Sequence, residues 1–180
     1  MIAWRVLWKD WGFASALFKQ ARQFLDLAME TAPGNSQEAF IRASIVFSLM
    51  SFEAFYLELI KGYVQQNRPA LEKEHPGAAA KVEEDLRKNQ GILEAVKESP
   101  KLLTGGPLDC ATEAYRNFVK LTKYRNNLVH GKIVEEIPGW GKLLAQDVET
   151  VDSAELAQRT ISAMLEVVSS RFGIASPTWI

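Results

Sequence analysis

Arg125 and His130 stand five residues apart in the run Tyr124-Arg125-Asn126-Asn127-Leu128-Val129-His130-Gly131. An imidazole can take or give a proton near neutral pH, and a guanidinium carries a fixed positive charge. Phe118, Leu121, Thr122, Leu128 and Val129 recur at three- and four-residue steps, and Arg125 falls inside their stripe. A cation aimed where a methyl is expected must be paired or have a function. Asn126 lies four before His130, on the same side of the helix, and sets a hydrogen-bonding amide beside the imidazole. Glu53 poses the mirror problem. It sits between Phe52 and Ala54, with Met50 and Leu57 on neighbouring turns, and needs a counter-charge. Arg125 is the natural partner, which requires their two helices to be neighbours.

Other catalytic signatures are missing from the sequence. It has no phosphate-cradling glycine loop and no Gly-x-Ser-x-Gly elbow, and its two histidines and one cysteine have no metal-ligand spacing, so neither a metal nor a cofactor is expected. His75, in a Pro-Gly turn among Glu72, Lys73 and Glu74, reads as a surface loop residue. Structural readings of the main pair stay open. A histidine in the last turn of a helix, with Gly131 behind it, is favoured by the helix dipole, and Arg125 could serve only as the ion-pair partner of Glu53.

The elements that must position these groups are helical. One helix is expected from about Phe13 to Ala32, stopped by Pro33-Gly34. The next is expected from Ser36 to about Asn67, with Asn35 and Glu38 forming a capping box. Its middle is apolar nearly all round, which suits the centre of a bundle or an interface between copies. A more charged helix follows from about Ala78 to Glu98, weakened at Gly91 and ended by Ser99-Pro100. A fourth starts at Asp109 or Thr112 and runs to about His130. A long loop or small hairpin, 132–151, is a candidate cover over a site. Asp152 and Glu155 resemble another capping box, opening a last helix to about Phe172. These features predict a single all-α domain over 1–180, an up-and-down bundle of about five helices behind an N-terminal extension, 1–12.

At 180 residues and 47% hydrophobic, the chain can bury a substantial core. A lone Cys110 fits a reducing compartment, and the cytoplasm is the expected location. Trp4, Leu7, Trp8 and Trp11 are interrupted by Arg5, Lys9 and Asp10, so neither secretion nor a membrane span is expected. Net charge is −1, but its distribution is uneven. Between Thr112 and Lys132, Arg116, Lys120, Lys123, Arg125 and Lys132 stand against Glu113 alone, whereas Val134 to Glu155 carries six acids against Lys142. An anionic ligand should meet the helix rather than the segment behind it.

The chain resembles the HEPN superfamily of helical bundles. Arg125-Asn126-Asn127-Leu128-Val129-His130 is similar to its signature of an arginine, four to six residues often starting with a polar one, and a histidine late in the bundle. Ser48, Ser51, Glu53 and Phe55, set among aliphatics, resemble its long core helix. The likeness extends loosely over residues 13–172. It implies a metal-independent endoribonuclease acting as a symmetric homodimer, with the two Arg-His pairs facing each other across a cleft. By that resemblance His130 acts as general acid or base on the ribose 2′-hydroxyl, Arg125 stabilises charge on phosphorus, and Asn126 orients one of them. Arg116, Lys120, Lys123 and Lys132 guide the RNA backbone. A toxin or phage-defence effector, with an antitoxin or defence-system protein as partner, is the implied setting. Other members are non-catalytic modules for dimerisation or for binding a ligand or partner.

Overall fold

The computed structural model describes residues 12–88, 91–129 and 149–180, which form six helices and no strand. They are α1 (Gly12–Glu30), α2 (Asn35–Glu74), α3 (Ala78–Arg87), α4 (Ile92–Thr104), α5 (Glu113–Val129) and α6 (Val151–Arg171). The all-α expectation is met. The count is six because the charged third helix breaks at Gly91, the weak point, into α3 and α4. The N-terminal extension and most of the 132–151 segment lie outside the described residues.

The 40-residue α2 is the axis of the bundle, and α1, α3, α4, α5 and α6 all pack on it. It runs past Asn67, the expected end, and through Pro69 to Glu74. Proline lacks the N–H that would meet the Gln65 carbonyl, but both residues are on the exposed side, where water can take that role. The same correction applies to α4, which continues through Pro100 to Thr104. Pro100 faces the core, and packing there outweighs one lost bond. Gly105 then ends α4 in the left-handed conformation, at φ 72°, with its N–H on the Lys101 carbonyl.

Two expected capping boxes are absent. At α2 the carbonyl of Gly34 accepts from Glu38 N–H, no side chain caps the end, and the Glu38 carboxylate turns instead to Arg42 at 3.2 Å. At α6 the cap is Thr150, whose Oγ1 accepts from Ser153 N–H at 3.2 Å, because the helix begins before Asp152. Thr112 does cap α5, accepting from Tyr115 N–H at 3.2 Å.

The core holds Phe18 from α1, Ile45, Leu49, Phe52, Phe55, Tyr56 and Ile60 from α2, Phe118 and Leu121 from α5, and Ile161 and Leu165 from α6. The Phe52 and Phe118 rings meet at 4.6 Å between centroids and join α2 to α5. Tyr56 Oη donates to the Ala95 carbonyl at 3.0 Å and joins α2 to α4. A small polar knot ties three helices: Ser44 Oγ donates to the Ala21 carbonyl at 2.9 Å, and Gln158 Nε2 donates to the same carbonyl at 3.1 Å and to Ser44 Oγ at 3.3 Å. Within α2, an apolar stretch long enough to cross a membrane is 56% buried inside the protein, as befits a core helix.

Candidate functional site

Arg125 and Glu53 meet. Arg125 Nη2 donates to Glu53 Oε1, an ion pair between α5 and α2. The Phe52–Phe118 contact brings the two helices together, and Glu53 and Arg125 follow those rings by one and seven residues along α2 and α5. Neither group is enclosed. The side chain of Arg125 is 20% exposed and that of Glu53 25%. Burial pushes the Glu53 carboxyl above the usual carboxylate range, and the neighbouring guanidinium only partly offsets it. Arg125 Nε makes no hydrogen bond to a described residue, so the guanidinium has donor capacity that Glu53 does not use.

The pair forms one wall of a cleft of about 470 Å³. Leu57 and Lys61 extend that wall along α2, and Thr122 and Asn126 extend it along α5. Leu86 of α3 and the Gly91-Ile92-Leu93 start of α4 close the opposite side, so the break at Gly91 is part of the cleft. The cleft has an aliphatic half, from Leu57, Leu86, Ile92 and Leu93, and a polar edge, from Glu53, Arg125, Asn126 and Lys61. Such a division suits a ligand with a flat apolar part and an anionic part.

The remaining expected site residues fall in different places. Asn126 is exposed at the cleft rim. Arg116, Lys120 and Lys123 project half a turn around α5 from Arg125, and the cleft is lined without them. Arg116 donates to the Ala111 carbonyl at 2.8 Å and so braces the start of its own helix. His130 and Lys132 lie outside the described residues. His75 ends α2 half-buried, its N–H on the Leu71 carbonyl at 2.7 Å, and its ring lies beside Gly105.

Sequence reasoning missed Lys61, the one cation that α2 contributes to this cleft, and it missed a second polar cluster. The Glu149 side chain, 1% exposed, accepts from Arg42 Nη2 at 2.5 Å and from Tyr124 Oη at 3.3 Å. Hydrogen bonding to Glu149 raises Arg42 above its ordinary value, and burial, then the adjacent carboxylate, raises the Tyr124 phenol. Glu149 belongs to the acidic run from Val134 to Glu155 that an anionic ligand is expected to avoid. It is instead a buried anchor on α5, one residue from Arg125 in its grip on Tyr124. Nothing in the sequence signalled a contact across 107 positions.

No protein-family model, no curated protein and no solved structure matches the chain.

Proposed function

We propose that the chain is a metal-independent endoribonuclease of HEPN type, working as a homodimer in a toxin or phage-defence setting. The observation that carries this reading is the placement of Arg125, held by Glu53 in the wall of a cleft with a fifth of its side chain exposed. His130, the next residue in the sequence after the described part of α5, takes the proton of a ribose 2′-hydroxyl. The 2′-oxygen then bonds to phosphorus, the P–O5′ bond breaks, and the leaving oxygen acquires a proton from water. Arg125 stabilises the charge on the phosphoryl oxygens as it builds. The products are a 2′,3′-cyclic phosphate and a 5′-hydroxyl.

The test is incubation of purified protein with mixed RNA in EDTA, comparing wild type with His130→Ala and analysing the new ends. Cleavage by wild type alone, with cyclic phosphate ends, supports the proposal; equal cleavage by both proteins sinks it.

A second reading, a non-catalytic module for dimerisation or partner binding, is favoured by the ion pair itself, which already engages Arg125, and by the aliphatic half of the cleft. An intact, folded dimer that leaves every RNA uncut is the result that selects it.

A further inference from the structure

The apolar surface of the cleft comes from two opposed walls. Leu57 of α2, 38% exposed, stands across from Leu86 of α3 and from Ile92 and Leu93 of α4. Those three are half-buried and packed on the core, and each leaves part of its surface to the cleft. Ala95 and Thr122 are buried and form the floor. Thr122 donates its hydroxyl to the Phe118 carbonyl at 2.8 Å, so the floor presents no unused donor. A space of about 470 Å³ bounded in this way falls in the range of small-molecule sites, roughly 300–1,000 Å³.

The charged lining consists of Glu53, Arg125 and Lys61, one acid against two bases. The two bases differ in their surroundings. Lys61 is exposed at the rim, and Glu58, three residues before it on α2, offsets its charge in part. Beyond Lys61 and Leu86 a second hollow adds Glu83, which is bound to Arg68, and Arg87, so charges of both signs crowd that end. Arg125 is held by Glu53 and is 20% exposed, and the ordering of its long side chain has been met by the ion pair. Asn126 sets an amide beside it at the rim.

From this division we infer that the cleft is a binding site for a small aromatic carboxylate, with its ring between Leu57 and the opposite aliphatic wall and its carboxylate on Arg125 and Asn126. A flat ring in a slot buries both faces against apolar groups. A carboxylate matches the plane of a guanidinium. One negative charge brings the sum over the lining to zero, whereas the two charges of a phosphate monoester overshoot it. A neutral aromatic would cover Arg125 without answering it, at a cost in desolvation. The site goes beyond the RNA reading, because it is built from the cleft alone and does not call on His130. Arg125 is common to both, so the carboxylate and an RNA phosphate exclude one another.

The experiment is calorimetric titration of the full chain, without RNA, with 2-naphthoate and with its neutral isostere 2-naphthamide. The acid should bind with a Kd on the order of 0.1–1 mM, the range open to a ligand of about 13 heavy atoms. The amide should bind at least about tenfold more weakly, for want of a charge-assisted hydrogen bond. Lys61→Glu, at an exposed position, should weaken the acid roughly threefold to tenfold and leave the amide unchanged. Glu53→Gln combined with Arg125→Gln removes both charges without stranding either, and should reduce the acid to the level of the amide. Leu57→Asp, also at an exposed position, should weaken both ligands and keeps the test decisive if the double variant does not fold. Absence of binding at about 5 mM, several times the expected Kd, would overturn the inference. So would equal affinity for acid and amide, or binding of the acid that Leu57→Asp leaves unchanged.

Discussion

Two carboxylates grip α5 at consecutive residues, and their surroundings differ. Glu149 holds Tyr124 from a buried position, its side chain 1% exposed, while Arg42 reaches in from α2 with 40% of its own side chain exposed. Glu53 holds Arg125 at the edge of a cleft, where both partners keep a fifth or more of their surface. The chemistry of the two contacts is alike, but the Glu149 carboxylate is buried and that of Glu53 is not, and the Arg125 pair lines a cleft. What separates a structural ion pair from a candidate site here is the cleft beside it, not residue type.

That contrast can be broken most directly at Arg42. Arg42→Ala leaves the Glu149 carboxylate buried with only Tyr124 for company, and should cost about 3–5 kcal/mol. Thermal unfolding should then shift down by roughly 10 °C for a chain of this size. Arg125→Ala also strands a carboxylate, but a partly hydrated one, so about 1–2 kcal/mol is expected. RNA cleavage should vanish in that variant while the helical spectrum stays intact. If the two variants melt alike, the distinction between the clusters is lost.

Tyr124→Phe removes one long hydrogen bond from Glu149 and should cost about 1 kcal/mol, measured by denaturant titration. The smallest effect is a pH dependence. Because the folded carboxyl of Glu53 is raised above its ordinary value of 4.5, its stabilising contribution is complete below that value and is lost as pH rises through the raised one. Wild type should therefore gain stability over Glu53→Gln as pH falls through that window. A constant difference between the two proteins across it would show that burial does not perturb Glu53.

The Glu53–Arg125 pairing was legible in the sequence because each residue broke an apolar pattern, and two such breaks have few ways to be reconciled. The break at Gly91 was legible for a similar local reason. The extents of α2 and α4 were not. Pro69 and Pro100 are strong local stop signals, and only the three-dimensional setting, solvent at one and core at the other, shows why each helix continues. Glu149 was illegible because its partners come from α2 and α5, far along the chain, while its neighbours in sequence are acids and loop formers.

The Ser44–Ala21–Gln158 knot has a consequence for the ring contacts between α1 and α2. Sliding α1 or α6 by one helical turn, about 5.4 Å, would tear three polar groups from their partners in a dry interior. The knot thus acts as an index pin for the bundle, fixing the axial setting of Phe24 beside Phe40 and Phe47. The rings of Phe24, Phe40 and Phe47 thereby meet at a register set by polar groups one layer further in.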